Sequence, residues 1–242
     1  MRGAIITDIH GNLAALEAVF ARIDLVGCDA VFCLGDLVGY GGNPNECVAM
    51  VRRRGVRSIM GNHDAAVVGR TDTEAFNWEA GEAVLWTRIV LTAENFTYLL
   101  HLPERLAIGT RVLLVHGTPE DRDRYILDRQ DLTGHLRRLR DQEGLEICFF
   151  GHTHIPLLAS ENCVHLACRE PLRVDGAGPY LVNPGSVGQP RDGNPNASFV
   201  LWDDARRTVQ FVRVPYDIEA SQHAILRWGL PSSLADRLDV GV

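Results

Sequence analysis

The sequence predicts an α/β protein in which helices cover two β-sheets within one domain, residues 1–242. In its first half, short apolar runs alternate with segments whose apolar residues recur at helical spacing. Beyond residue 155, short β-type runs follow one another with turn residues between them. No internal repeat or low-complexity linker divides the chain, which favours one domain over two.

The first half is predicted to run strand, helix, strand, helix, strand. The strands are GAIITD, AVFCLGD and VRSIMGNHD, and the first helix lies in NLAALEAVFARI, whose apolar residues share one face. The second helix lies in GGNPNECVAMVRRR. There Asn43, Pro44 and Glu46 fit the N-cap, the first and the third helical positions.

Residues 71–101 are predicted to form an inserted pair of helices. TDTE fits a capping box that opens the first helix, and AENFTYLLHLP predicts a second one that ends before Pro103. We interpret the pair as a lid over a cleft, which would limit the size of the substrate.

Strands are expected again at RLAIGTRVLLVHG, followed by a helix near 131–143 and the strand of EICFFGHTH. In the β-rich remainder, Asp203 and Asp204 are expected to lie at the turn of a hairpin. A helix over 217–228 and a short one in LPSSLADRL are expected to end the chain.

Composition indicates a cytoplasmic protein that binds neither nucleic acid in general nor membranes. Its 46% hydrophobic and 23% charged residues are ordinary for a globular domain, and its formal charge of -7 opposes general binding to phosphate backbones. The apolar run at the N-terminus is too short for a signal peptide, and no stretch is long enough to span a bilayer. The six cysteines form no CxxC pair, which suits a reducing compartment.

Polar residues cluster where five apolar strands are predicted to end. Any one of these motifs alone would suit a polar turn. In open α/β sheets, however, the carboxyl ends of the strands border one crevice, where ligands bind. The residues that we expect there are Asp8, His10, Asp36, Asn62, His63, Asp64, His116, His152 and His154.

The kinds of side chain in this set indicate metal binding. Imidazole nitrogens with carboxylate and amide oxygens, and no thiolate, suit divalent Mn, Fe, Co, Ni or Zn. Seven of these nine residues are candidate ligands. One catalytic metal uses fewer than seven, because it keeps a position open for water. Two metals that share a bridging carboxylate would use them all.

Taken in order, the motifs resemble those of the calcineurin-like metallophosphoesterase superfamily. They read Asp8-Ile9-His10-Gly11-Asn12, Gly35-Asp36, Gly61-Asn62-His63-Asp64, Val115-His116-Gly117 and Gly151-His152-Thr153-His154. The segment NPGSVGQPR at 183–191 further resembles the small bacterial phosphodiesterase branch that includes diadenosine tetraphosphatase-like proteins.

This resemblance implies a four-layer αββα sandwich of two mixed sheets, with two divalent ions (Mn, Fe, Ni or Zn) at the site. It implies in-line attack on phosphorus by a hydroxide that bridges the ions, with His63 as the catalytic histidine and Asp64 orienting it. The implied ligands are Asp8, His10, Asp36 and His154 for one ion, and Asp36, Asn62, His116 and His152 for the other.

Three further residues are weaker candidates for contact with the substrate. Arg191 could reach a phosphate or be an exposed loop arginine. Asn12 could approach a phosphate, although its position favours the N-cap of the first helix. Tyr40, like Trp78, could stack on a base or an aryl group, or could belong to the core.

The function that these observations predict is hydrolysis of a phosphodiester, a phosphomonoester or a dinucleoside polyphosphate, with a small phosphorylated or nucleotide molecule as the partner. One alternative is a serine/threonine protein phosphatase, but GDLVGYG lacks the Asp-Arg pair that those enzymes carry at this point. Another is a non-catalytic scaffold of the same fold, which would not need the full set of ligands.

Overall fold

Two six-stranded β-sheets occupy the centre of the computed structural model, which describes residues 1–74, 76–142, 144–166, 168, 170–174 and 178–242. The strands are β1 Arg2–Ile6, β2 Ala30–Cys33, β3 Arg57–Ser58, β4 Leu106–Ile108, β5 Val112–Leu114, β6 Ile147–Phe149, β7 Leu157–Ala159, β8 Val164–Leu166, β9 Leu172–Arg173, β10 Tyr180–Asn183, β11 Ala197–Asp203 and β12 Thr208–Val214. The helices are α1 Leu13–Val26, α2 Pro44–Arg53, α3 Asn62–Val67, α4 Trp78–Val90, α5 Ala93–Leu100, α6 Arg129–Arg140, α7 Ile218–Arg227 and α8 Ser233–Val240.

Both sheets are mixed. The first has the order β3-β2-β1-β11-β12-β9, and its parallel part is β1, β2 and β3. The second has the order β4-β5-β6-β10-β7-β8, and its parallel part is β5, β6 and β10. Each sheet therefore has a set of parallel strands whose carboxyl ends lie at one edge, which is the edge where ligands bind in such sheets.

The hydrophobic clusters define four layers. Apolar residues from the facing sides of both sheets pack together, among them Phe32 and Trp202 of the first sheet and Phe149 of the second. On the outer side of the first sheet, residues of β1, β2 and β11 pack against α1, α2 and α5. On the outer side of the second sheet, β6 and β10 pack against α6. The predicted αββα sandwich is therefore confirmed.

Most predicted elements are present, and one helix start is wrong. The TDTE capping box does not open α4: this helix begins at Trp78, and the side chain of Asn77 caps it by accepting a hydrogen bond from Ala80 N at 2.8 Å. The hairpin at Asp203 is confirmed, since β11 and β12 pair down to Asp203 and Thr208. Helix α6 covers 129–140 rather than 131–143, of which residue 143 lies outside the described residues.

Helices α4 and α5 occupy the predicted insertion and pack closely against the rest of the chain. Ala80 and Ala83 of α4 share a cluster with Tyr40 and with residues of α7 and α8. Trp78, in contrast, is 68% exposed at the start of α4. None of the helices in the described part of the chain has both the length and the apolar character that crossing a membrane requires.

The inner core predicts a large loss of stability for Phe149→Ala. Phe149 is fully buried between the sheets, and its ring lies 5.9 Å from that of Trp202. Truncation should lower the free energy of unfolding by about 3–5 kcal/mol, because the cavity adds to the lost burial. Chemical denaturation measures this change. Leu25→Ala, at a side chain 81% exposed, should stay within about 0.5 kcal/mol of the parent, and equal losses in the two variants would contradict the prediction.

Candidate metal centre

Sharp backbone turns follow the central strands and carry the predicted site residues. Asp8, His10 and Asp36 have φ of 53°, 50° and 54°, and His152 and His154 have φ of 66° and 60°. This left-handed region is unfavourable for residues with a Cβ and is often occupied at functional sites. The turns after β1 and β2 hold each other through hydrogen bonds from Asp8 N to Gly35 O (3.1 Å) and from His10 N to Asp36 O (2.9 Å).

The segment 183–191 connects the first of these turns to the one after β6. Ser186 Oγ donates a hydrogen bond to Asp8 O at 2.8 Å. Asn183 Nδ2 donates to Gly151 O at 2.8 Å and to Thr153 Oγ1 at 3.0 Å. The polar residues of this segment therefore fix the backbone that presents the site.

The structure gathers the predicted residues into three overlapping buried groups. One contains His10, Asp36 and His63, and the other two contain only predicted metal ligands. Of these two, Asp8, His10 and His154 form the first, and Asp36, His116 and His152 form the second, with the candidate ligand atoms of each group all within 4.8 Å of one another. Asp36 Oδ2 lies 3.6 Å from His10 Nε2 and 3.3 Å from His116 Nε2, so it stands between the two groups.

Asn62 completes the second group. Its Oδ1 lies 3.0 Å from His116 Nε2, and the side chain is buried at the start of α3. All seven residues predicted as metal ligands therefore occupy one buried region at the carboxyl ends of the strands.

Backbone carbonyls set the direction in which each imidazole presents its lone pair. Nδ1 of His10, His116 and His154 lies 3.1, 2.8 and 2.6 Å from the carbonyl oxygens of Val38, Leu34 and Gln189. A carbonyl only accepts, so we assign the proton to each Nδ1, which leaves Nε2 as an acceptor. His152 is reversed: its Nε2 donates to Asp123 O at 3.2 Å, and Nδ1 is left as the acceptor.

These acceptors face one another in a way that fits a bound cation. Nε2 of His10 and Nε2 of His154 are 3.1 Å apart, although each presents a lone pair. Asp8 Oδ1 and Asp36 Oδ2 are buried and accept no hydrogen bond from the described residues. Unpaired buried oxygens are costly, and a divalent ion would satisfy oxygens and nitrogens together.

The electrostatics of the site indicate the same need for positive charge. Burial raises the pKa of Asp8 to about 7. Burial opposes a proton on His116, yet the facing carboxylate of Asp36 raises the pKa of His116 to about 9. Burial also opposes the charge on Asp36, but His116 and His63 hold its pKa well below the usual range. The carboxylates therefore favour a positive charge beside them, which a divalent ion would supply in place of a proton on His116.

His63 lies beside these groups on α3. Its backbone N–H donates to Asp36 Oδ1 at 2.8 Å, and its ring centroid is 4.9 Å from that of His10. The ring is buried among Tyr40 and Phe76, and burial lowers its pKa to about 4. His63 is thus a neutral imidazole next to the carboxylate that the two groups share.

Asp64 does not have the role that the sequence predicted. Its Oδ1 accepts hydrogen bonds from Leu37 N (2.9 Å) and Val38 N (3.3 Å), and its Oδ2 accepts from Gly61 N (3.0 Å). Its two oxygens therefore bind backbone amides of the turns that carry Asp36 and Asn62, instead of orienting the ring of His63. We correct its assignment to that of a clamp between these turns.

Two of the three weaker candidates make contacts within the fold and do not face an open cleft. Asn12 caps α1, with Oδ1 accepting from Ala15 N at 3.1 Å and Nδ2 donating to Gly188 O at 2.9 Å. Tyr40 is only 7% exposed, and its ring lies between those of His10 and His63, which leaves no open face for a base.

Arg191 lies at the rim of the site. Its guanidinium donates to Tyr40 Oη at 3.3 Å and to Gln189 Oε1 at 2.8 Å. Its charge also reaches the buried groups, because after burial it is the largest influence that lowers the pKa of His154. The polar atoms that Arg191 contacts are neutral oxygens, so its charge is not paired with a carboxylate by these bonds.

Two aromatic residues at the site were missed from the sequence. Tyr125 stacks on His152, with ring centroids 3.7 Å apart and planes 24° apart, and Phe76 meets the ring of His63 at 4.8 Å. Neither residue follows a strand or belongs to a recognisable motif, so their proximity arises only from the tertiary fold.

Comparisons with known proteins agree with this geometry. Residues 1–206 match the family model of the calcineurin-like phosphoesterase superfamily domain. An uncharacterized protein of Methanocaldococcus jannaschii is 39% identical over 241 residues, which cover 98% of this chain and 97% of that protein.

Two solved structures superpose along the whole chain. The metallophosphoesterase from Sphaerobacter thermophilus is 40% identical, with a TM-score of 0.88, and the match covers 100% of this chain and 99% of that one. A hypothetical protein from Pyrococcus horikoshii shares the fold at 23% identity, with a TM-score of 0.83 and coverage of 100% and 98%. With the buried Asp and His groups described above, these matches show that the chain belongs to the calcineurin-like phosphoesterase superfamily.

Proposed function

We propose that the protein is a phosphoesterase that binds two divalent transition-metal ions and hydrolyses small phosphorylated or nucleotide substrates. The observation that supports this most directly is the pair of adjacent buried groups that meet at Asp36 and contain unpaired carboxylate oxygens. The match to the superfamily and the 40% identity to a metallophosphoesterase support it independently.

The two ions would use the ligands of the two groups. Asp8, His10, Asp36 and His154 would hold one ion, and Asp36, Asn62, His116 and His152 would hold the other. The four imidazoles favour Mn, Fe, Ni or Zn over Mg or Ca. When bound, the ions would polarise the phosphoryl group and supply hydroxide for in-line attack near neutral pH.

His63 is the residue that we propose to assist this reaction. Its Nδ1 lies against Gly39, where an added Cβ would come within 2.4 Å of that nitrogen. Nε2 is therefore the nitrogen left to face the cleft, and it would donate a hydrogen bond to the phosphoryl group or to the leaving oxygen.

The walls of the cleft would select the substrate. Arg191 would bind a phosphate oxygen, since the acceptors that its guanidinium contacts among the described residues are neutral. We also propose that the insertion at 71–101 acts as a lid on the side of His63, because Phe76, just before α4, packs edge-on against that ring. A compact wall there suits a small ester better than a folded phosphoprotein.

A hydrolysis screen tests the proposed function. The protein, stripped with a chelator and reloaded with Mn, Fe, Ni or Zn, should hydrolyse bis-p-nitrophenyl phosphate, and the chelated form should not. Monoesters, dinucleoside polyphosphates and phosphopeptides run in parallel rank the substrate classes. Turnover restricted to phosphopeptides would favour a protein phosphatase, and absence of both metal and turnover would favour a scaffold.

Asp36→Asn should remove most of the bound metal, because one bridging carboxylate serves both groups and an amide oxygen is a weaker ligand. Metal analysis of the purified variant measures the loss, and circular dichroism checks the fold. Asp24→Asn changes an exposed carboxylate that pairs with Arg54, so this control should keep its metal. Full occupancy in Asp36→Asn would refute the shared role of Asp36.

His63→Ala should retain its metal but lose turnover. Removal of a residue that donates a hydrogen bond in the transition state should lower kcat by about 10²- to 10⁴-fold. His101, on an exposed turn, bonds to the carbonyl of Thr97 and provides the control His101→Ala, which should leave kcat unchanged. Unchanged kcat in His63→Ala would rule out the proposed role.

A further inference from the structure

The segment between β5 and α6, residues 115–128, places an aromatic ring at the mouth of the metal centre. Tyr125 stacks on His152 on one side, yet 39% of the residue remains exposed. Burial raises the pKa of its phenol, and the charge of Arg191 lowers it. Tyr125 thus combines an inner face fixed by the site with an outer side open to solvent.

Several contacts hold this segment in place. It folds back over Gly117, where an added Cβ would come within 2.4 Å of Arg122 O. Arg122 donates to Thr71 Oγ1 at 2.6 Å, and Asp123 O accepts from His152 Nε2 at 3.2 Å. Ile126, one residue after the tyrosine, is buried against α6. The ring is therefore held in position before any ligand arrives.

The charge of Arg191 reaches the phenols of both Tyr125 and Tyr40. Its guanidinium donates to Tyr40 Oη at 3.3 Å. Tyr40 is enclosed by two histidine rings, whereas Tyr125 is not. Of these two tyrosines, Tyr125 alone can offer a ring face to a ligand whose phosphate reaches Arg191.

We propose that Tyr125 determines specificity for phosphodiesters in which the group that stays on phosphorus is an aryl or nucleoside group, by stacking on that group beside the scissile phosphate. This inference rests on the proposed function. An ordered aromatic face gains stacking energy at little entropic cost, and stacking tolerates any base because every base has a π-face. Substrates with a small alkyl group instead would gain nothing from Tyr125.

Two esters with the same leaving group test the inference: p-nitrophenyl phenyl phosphate and methyl p-nitrophenyl phosphate. The metal-loaded wild-type protein should favour the phenyl ester in kcat/KM. Tyr125→Ala should lower kcat/KM for the phenyl ester about tenfold, in line with the loss of one stacking contact, and change it less than about twofold for the methyl ester. Tyr125→Phe, which keeps the ring, should keep the preference.

Leu127→Ala is the matched control, because Leu127 is exposed in the same segment and its side chain can be removed without touching His152. It should leave both esters unaffected, and metal analysis of every variant checks that the site is loaded. Equal losses for both esters in Tyr125→Ala would indicate a structural role and overturn the inference, as would an unchanged preference.

Binding measured without turnover separates this inference from the proposed function. By calorimetry, phenylphosphonate should bind the metal-loaded protein more tightly than methylphosphonate, and Tyr125→Ala should remove the difference. If that pattern appears without hydrolysis of any ester, stacking is supported and the phosphoesterase function fails. If hydrolysis occurs but both phosphonates bind alike, the inference on Tyr125 fails and the function stands.

Discussion

The burial of two carboxylates that both face the imidazole of His10 is the constraint on which the rest of the structure depends. Asp8 and Asp36 each keep an oxygen without a hydrogen bond from the described residues, and both lie in an interior where uncompensated charge is costly. The surrounding turns therefore have to hold residues with positive φ in place until a cation compensates the charge of the two carboxylates. The carboxylates that favour binding of a cation consequently lower the stability of the fold when no cation is bound.

The scaffold holds these residues in place through backbone hydrogen bonds between neighbouring turns. The turns after β1 and β2 bond to each other, and Asp64 ties the second of them to the start of α3. Ser186 secures the first turn from a distant part of the chain. Each of these bonds has a main-chain group on at least one side. The positions of the site residues therefore depend on the two sets of parallel strands and on the close approach of their loops, as at Gly61 and Asp36.

The sequence predicted those parts of the site that repeat one local pattern, an apolar strand followed by Asp, Asn or His. That pattern located Asp8, Asp36, His116 and the GHTH turn because strand ends necessarily share an edge. It could not reveal Asp64 as a clamp, since its partners are backbone amides of another loop. It also could not place Tyr125, whose position depends on how a loop without regular structure folds back over Gly117. Helix α4 was misplaced because two capping signals, at 71–74 and at Asn77, compete within a few residues.

The reversed orientation of His152 links two properties that are usually adjusted separately. Its Nε2 is anchored to Asp123 O, two residues before the ring that covers it, whereas the other three imidazoles are anchored to carbonyls elsewhere. A change of length or sequence between β5 and α6 would therefore alter the position of the His152 imidazole and the shape of the cleft at the same time. In the divergence of such proteins, a loop that reshaped the cleft would also reposition a buried imidazole of the site.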